Sequence, residues 1–222
     1  MIYIDIHTHA ENIDNKKFSI RSFSIIDNNN IPVNKTFSAG IHPWDSEKFN
    51  YSHFDTLRKI SNKNKFIAIG EAGLDKLQGA ELQIQKNIFK GQIELSERTK
   101  RPLIIHCVKY FNELIEIHKE IKPKSPWIIH SFRKNVALAQ DLIARGIYLS
   151  FGADLLNTSS NPYKYFSELN KEFIFVETDD SQLSIEEIYK QAAELCSIDL
   201  EEMSDIIESN FKKCFKNVPL VK

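Results

Sequence analysis

Six residues able to ligate a divalent ion stand in or just after short apolar runs of this chain. They are His7 and His9 in IYIDIHTH, Glu71 in FIAIGEAG, His106 in PLIIHC, His130 in PWIIHS and Asp179 in FIFVETDD. Neutral imidazoles combined with carboxylates suit first-row divalent ions such as zinc or manganese. Such an ion brings the pKa of water to about 7, so hydrolysis needs no serine or cysteine nucleophile. The sequence holds neither a G-x-S-x-G elbow nor a P-loop, leaving nucleophilic-serine and nucleoside-triphosphatase chemistry without support.

Spacing sharpens this reading. Alternate residues of a strand point to the same side, so His7 and His9 can face one point. Alone, a His-x-His pair is as readily a cap or a core histidine, and its company decides. Gly70 and Gly73 around Glu71 leave room for a close backbone approach. His106 and His130 each follow an Ile-Ile pair, where a titratable group costs desolvation unless it has a partner. Asp179 lies two residues beyond Glu177 and can share its side of the strand. The acidic tetrad Glu177–Asp180 also fits a helix N-terminus favoured by the macrodipole. The ligand reading is preferred because the last strand of a closed barrel lies beside the first. Sorted by chemistry, one ion takes His7, His9 and Asp179, a second takes His106 and His130, and Glu71 bridges them. Paired ions about 3.5–4 Å apart are the usual arrangement for phosphoester hydrolysis.

Strand ends must bring these groups together, and the chain supplies the strands. Continuous apolar runs at 2–6, 35–41, 66–69, 103–105, 127–129, 147–151 and 173–176 read as strands covered on both faces. Helical patterns at 80–99, 110–121, 134–145, 185–196 and 200–216 fall between or after them. Arg101-Pro102 stops the first of these, and Ser197 or Asp199 caps the last. Alternating strand and helix predicts parallel α/β structure, a TIM-type (β/α) barrel in one domain spanning 1–222. Such barrels typically run to about 250 residues, and the 222 residues here fall short. The deficit lies between residues 10 and 40, where early crossover helices are missing or reduced. Within it 18–26 reads as a strand and DNNNIPVN as a turn, a stretch also compatible with a local hairpin.

Bulk properties exclude several classes. A net charge of −1 gives no global positive field for coating nucleic acid, though it permits an enzyme that grips a few phosphates. Three cysteines without a framework pattern fit a reducing compartment. No signal peptide or span-length apolar run is present, so a cytoplasmic protein without a membrane or obligate protein partner is expected.

With these residues in place, the chain resembles the TatD-type family of metal-dependent hydrolases, many of them deoxyribonucleases, within the amidohydrolase-like barrel superfamily. The matching stretches are DIHTHA (5–10), GIHPWD (40–45), IGEAGLD (69–75), Gln85–Phe89–Gln92, PLIIHC (102–107), IIHSF (128–132), GIYLSFG (146–152), VETD (176–179) and Asn210–Phe215. The resemblance implies two divalent ions (Zn, Mg or Mn) on His7, His9, Glu71, His106, His130 and Asp179. It also implies that Asp179 orients or deprotonates the attacking water and that His42 faces the substrate phosphate. The catalytic set is then Asp179, Glu71 and His42. The chain departs from the family in its short 10–40 segment, in the short loop after VETD, and in Val108 and Lys109 where an arginine is frequent. Those departures touch substrate recognition rather than metal ligation.

Lys76, Lys109, Arg133 and Lys134 follow the ligand-bearing strands, with Lys109 and Arg133 the preferred phosphate contacts beside His42. Trp44 either stacks on a nucleobase or packs on the barrel rim. Cys107 reads as a small buried side chain, His53 and His118 as surface or packing residues, and Lys16, Lys17 and Arg21 as a local basic patch. The expected partner is DNA or another phosphodiester. Amide or lactone hydrolysis is the other enzymatic reading, and a metal-retaining binding protein without turnover is the non-enzymatic one.

Overall fold

The apolar runs do form strands, as β-branched and aromatic side chains covered on both faces favour a pleated, paired backbone. The computed structural model describes residues 1–10, 17–26, 35–216 and 218–220. In chain order its elements are β1 (Ile4–Thr8), β2 (Phe18–Ser24), β3 (Phe37–Gly40), α1 (Ser52–Ser61), β4 (Phe66–Asp75) and α2 (Leu82–Thr99). Then come β5 (Leu103–Val108), α3 (Phe111–Ile121), β6 (Trp127–Ile129), α4 (Val136–Ala144) and β7 (Tyr148–Phe151). The last are α5 (Asn161–Tyr165), β8 (Ile174–Val176), α6 (Ile185–Cys196) and α7 (Leu200–Cys214). The eight strands are parallel and neighbour one another in sequence order, the topology of a TIM-type (β/α) barrel.

No local hairpin forms among the described residues of 10–40. β2 runs parallel to β1, with Ile4 opposite Phe18 and Asp5 opposite Ser19. Four of its seven residues are buried, two on each side, as in a strand covered on both faces. No helix occurs among the described residues of that segment, and the DNNNIPVN turn and Lys16 lie outside them. No helix among the described residues is long and apolar enough to cross a membrane.

By its contacts the chain divides into two compact units, residues 1–21 with 128–222, and residues 22–127. In the first, the C-terminal helices fix the strands that carry His7 and Asp179. The buried Tyr189 hydroxyl of α6 accepts from the Ile4 N–H at 3.0 Å and donates to the Ile4 carbonyl at 3.1 Å. Ser204 of α7 donates to the Ile2 carbonyl, and Asn210 donates to the carbonyls of Lys171 and Ile174 at the start of β8. Both helices start at side-chain caps: Ser184 with Glu187 forms a capping box, and Asp199, of the two expected candidates, caps α7.

In the second unit two buried glutamines of α2, seven residues apart and so on one face, hold the strand ends. Gln92 accepts from the Ile41 N–H at 2.8 Å and donates to its carbonyl at 3.0 Å. Gln85 accepts from the Asp75 N–H at 2.8 Å and donates to the carbonyls of Asp75, Gln78 and Ala80. β4 continues well past its apolar start, through Glu71 to Asp75, and pairs with β5 so that Gly73 lies opposite His106. Gly70 and Gly73 adopt φ of 144° and 147°. A Cβ there would overlap the carbonyls of Ile104 and His106, so only glycine lets the two backbones approach this closely.

Candidate active site

In the first unit, the end of β1 meets the residues after β8 through backbone bonds. The Asp179 N–H donates to the His7 carbonyl at 3.0 Å and the His9 N–H donates to the Asp179 carbonyl at 3.2 Å. Thr178 reinforces this by donating to Asp5, through its N–H at 3.1 Å and its hydroxyl at 2.7 Å. Asp179, with φ of 53°, then aims its carboxylate at both histidines: Oδ1 is 3.6 Å from Nε2 of His7 and 3.7 Å from Nε2 of His9. The His130 ring stacks obliquely against His7 at 4.4 Å, and its Nδ1 is 3.8 Å from Oε1 of Glu177. Glu177 also accepts from the Ser131 N–H. Burial pushes the Asp5 carboxyl up to about 7 against the hydrogen bonds from Thr178. Burial likewise raises Glu177 above the usual range, against the opposing influence of His130.

In the second unit, Glu71 on β4 faces two imidazoles: Oε2 is 3.4 Å from Nε2 of His42 and 3.7 Å from Nδ1 of His106. The two rings are 4.5 Å apart, yet their surroundings assign them different work. His42 Nδ1 accepts from the Trp44 N–H at 3.2 Å, so the neutral ring carries its proton on Nε2 and is a donor there. On His106 it is Nε2 that meets a carboxylate oxygen, Oδ2 of Asp75, at 3.0 Å. A proton on Nε2 leaves the Nδ1 lone pair directed towards Glu71. Burial works against the charge of Asp75, but donors from Trp44, Leu77 and His106 outweigh it and hold its carboxyl below the usual range.

The donor sets fit a metal. His7, His9 and Asp179 form one group whose ligand atoms lie within 4.8 Å of one another; His130, Glu177 and Asp179 form another, and His42, Glu71 and His106 a third. Donors bound at about 2.0–2.2 Å stand roughly 3.0–3.5 Å apart, and the 3.6 and 3.7 Å separations around Asp179 approach that. In the third group the proton on Nε2 makes His42 a donor rather than a ligand, leaving Glu71 and His106 as the metal-directed pair.

Residues 13–216 match the family described as TatD related DNase. The chain belongs to that family. Over 195 residues it is 27% identical to the uncharacterized metal-dependent hydrolase YabD of Bacillus subtilis, covering 81% of this chain and 76% of that one. Over 120 residues it is 26% identical to the 3'-5' ssDNA/RNA exonuclease TatD of Salmonella typhimurium, covering 50% and 44% of the two. A solved TatD homologue from Escherichia coli K12 superposes with a TM-score of 0.83 at 20% identity over 98% of both chains, a likeness of fold.

The remaining residues singled out in the sequence lie in differing surroundings. Lys109 is exposed just past β5 with φ of 61°. Arg133 is exposed, and its Nε is 2.7 Å from Asp154 Oδ2, so part of its guanidinium is already engaged. Lys76 lies over the Tyr110 ring at 5.9 Å. Trp44 is 49% exposed, and its indole N–H donates to Asp75 at 2.7 Å, which ties the ring to the end of β4. Lys17 is paired with Glu186 at 2.6 Å. His53 bonds locally to Asn50, and His118 packs edge-on to Trp127. The roles of Asp75, Glu177 and Asp5 escaped the sequence reading. Each sits within an apolar-run motif already noted, but its partner is fixed only by pairing between distant strands.

Proposed function

We propose that this chain is a divalent-metal-dependent phosphoesterase acting on DNA, with two ions (Zn, Mg or Mn) held by His7, His9, Glu71, His106, His130 and Asp179. The observation that carries the reading is the convergence of His7 and His9 on Asp179 and of His106 on Glu71, in a chain of the TatD related DNase family. When bound, the ions supply Lewis acidity towards the phosphoryl oxygens and lower the pKa of the attacking water. Asp179 orients that water and accepts its proton. His42 donates from Nε2 to a phosphate oxygen, the tautomer imposed by the Trp44 N–H. Lys109 and the remaining donors of Arg133 contact neighbouring phosphates. A cytoplasmic setting accords with a sequence whose three cysteines carry no framework pattern.

Purified protein presented with single-stranded DNA, a generic phosphodiester, a phosphomonoester and an amide or lactone separates the readings. We expect phosphodiester turnover that falls about 10²–10⁴-fold in Glu71→Ala and in Asp179→Ala. Turnover confined to the amide or lactone transfers the site to the other hydrolase class. Metal retention without turnover of any substrate leaves a binding protein.

A further inference from the structure

His106 reaches Asp75 across the β4–β5 pairing, and Asp75 does more than fill a hydrogen bond. Its Oδ2 receives two groups at once, the Trp44 indole N–H at 2.7 Å and Nε2 of His106 at 3.0 Å, while Oδ1 accepts from the Leu77 N–H at 2.7 Å. Indole and peptide N–H groups are donors only, so they meet Asp75 as an acceptor. The position is fixed from behind, since Gln85 holds both the N–H and the carbonyl of Asp75. Asp75 is 3% exposed, its geometry therefore set by protein rather than by water.

We propose that Asp75 is a positioning residue that holds His106 in its Nε2–H form, with Nδ1 presented for a divalent ion, and clamps the half-exposed Trp44 ring at the same time. The assignment rests on the reading of His106 as a metal ligand. A carboxylate behind a ligating imidazole fixes ring orientation and raises ligand basicity, and its loss typically lowers metal affinity about 10–100-fold. Nearly isosteric, Asp75→Asn changes this specifically. One rotamer of the amide turns its NH₂ towards Nε2, which favours a proton on Nδ1 and blocks the ligating lone pair.

The test uses full-length metal-free protein labelled with ¹⁵N histidine, the His106 signals being identified by their loss in His106→Ala. In wild type we expect neutral His106 with the proton on Nε2. In Asp75→Asn we expect the population to move towards Nδ1–H and Zn²⁺ affinity, titrated with the metal alone, to fall about 10–100-fold. Trp44→Phe should keep the Nε2–H form, because Asp75 retains His106 and Leu77. A wild-type His106 in the Nδ1–H form overturns the proposal, and so does an Asp75→Asn protein with unchanged tautomer and affinity. If Asp75→Asn does not fold, the wild-type tautomer decides. His106→Ala distinguishes the two levels of failure. Unchanged Zn²⁺ affinity there removes His106 from the ligand set, whereas lost affinity in His106→Ala with wild-type affinity in Asp75→Asn removes only the role of Asp75.

Discussion

His42 and His106 lie ring against ring beside one carboxylate, and the partner behind each ring decides what it can do. A backbone N–H on Nδ1 of His42 makes that ring a donor at Nε2; a carboxylate at Nε2 of His106 turns its Nδ1 towards Glu71, the arrangement the proposed ligand role requires. His42→Ala is therefore expected to leave Zn²⁺ affinity within about twofold while lowering kcat/KM on DNA about 10–100-fold, the size of one hydrogen bond to a charged group. Isothermal titration with Zn²⁺ beside steady-state kinetics checks it; a large loss of Zn²⁺ affinity would make His42 a ligand. At this scale the sequence was legible for chemistry and silent on tautomers. Imidazoles and carboxylates at the ends of apolar runs stand out because their desolvation demands a partner. Which nitrogen carries the proton depends on Asp75, 31 residues before His106, and no spacing rule links them.

Among the elements, α2 shows how a helix sets a site it does not enter. Gln92 satisfies both backbone groups of Ile41, the residue before His42, in a fully buried setting. Gln92→Leu keeps the volume but strands that N–H and that carbonyl, at about 1–3 kcal/mol for each unsatisfied group. Urea unfolding should show stability lower by at least about 2 kcal/mol, and an unchanged midpoint would deny the glutamine its structural role. The helices at α2, α3, α4, α6 and α7 lie where their periodic apolar faces and stops indicate, within a residue or two. α1 does not stand out in the sequence, because its apolar residues Phe54, Leu57 and Ile60, though on one helical face, are few and set in an otherwise polar run. β4 is longer than its apolar run because pairing with β5 carries it on through Glu71 and Gly73, where hydropathy gives no signal.

For the whole molecule, strand–helix alternation conveyed the parallel barrel class, since continuous apolar strands need cover on both faces and crossovers supply it. In the early part the strand at 18–26 was legible but its parallel pairing was not, because four of the seven residues of β2 are polar and it alternates in part like a hairpin strand. The proposed ligands run from residue 7 to residue 179, so a bound metal would clamp distant parts of the chain. An ion that binds only the folded state at a hundredfold excess over its Kd adds about 2.7 kcal/mol. For a chain of this length that raises Tm by roughly 5–10 °C. Differential scanning fluorimetry with Zn²⁺ or Mn²⁺ against chelator should show this rise in wild type and its reduction in Asp179→Ala; equal shifts in both would place the bound metal elsewhere. The most direct test of the central claim is hydrolysis of single-stranded DNA by protein stripped of metal and then titrated with Mn²⁺ or Zn²⁺. Cleavage should be absent after stripping, return with added ion, and stay absent in Asp179→Ala. Cleavage that persists in stripped protein, or returns fully in Asp179→Ala, would contradict the account.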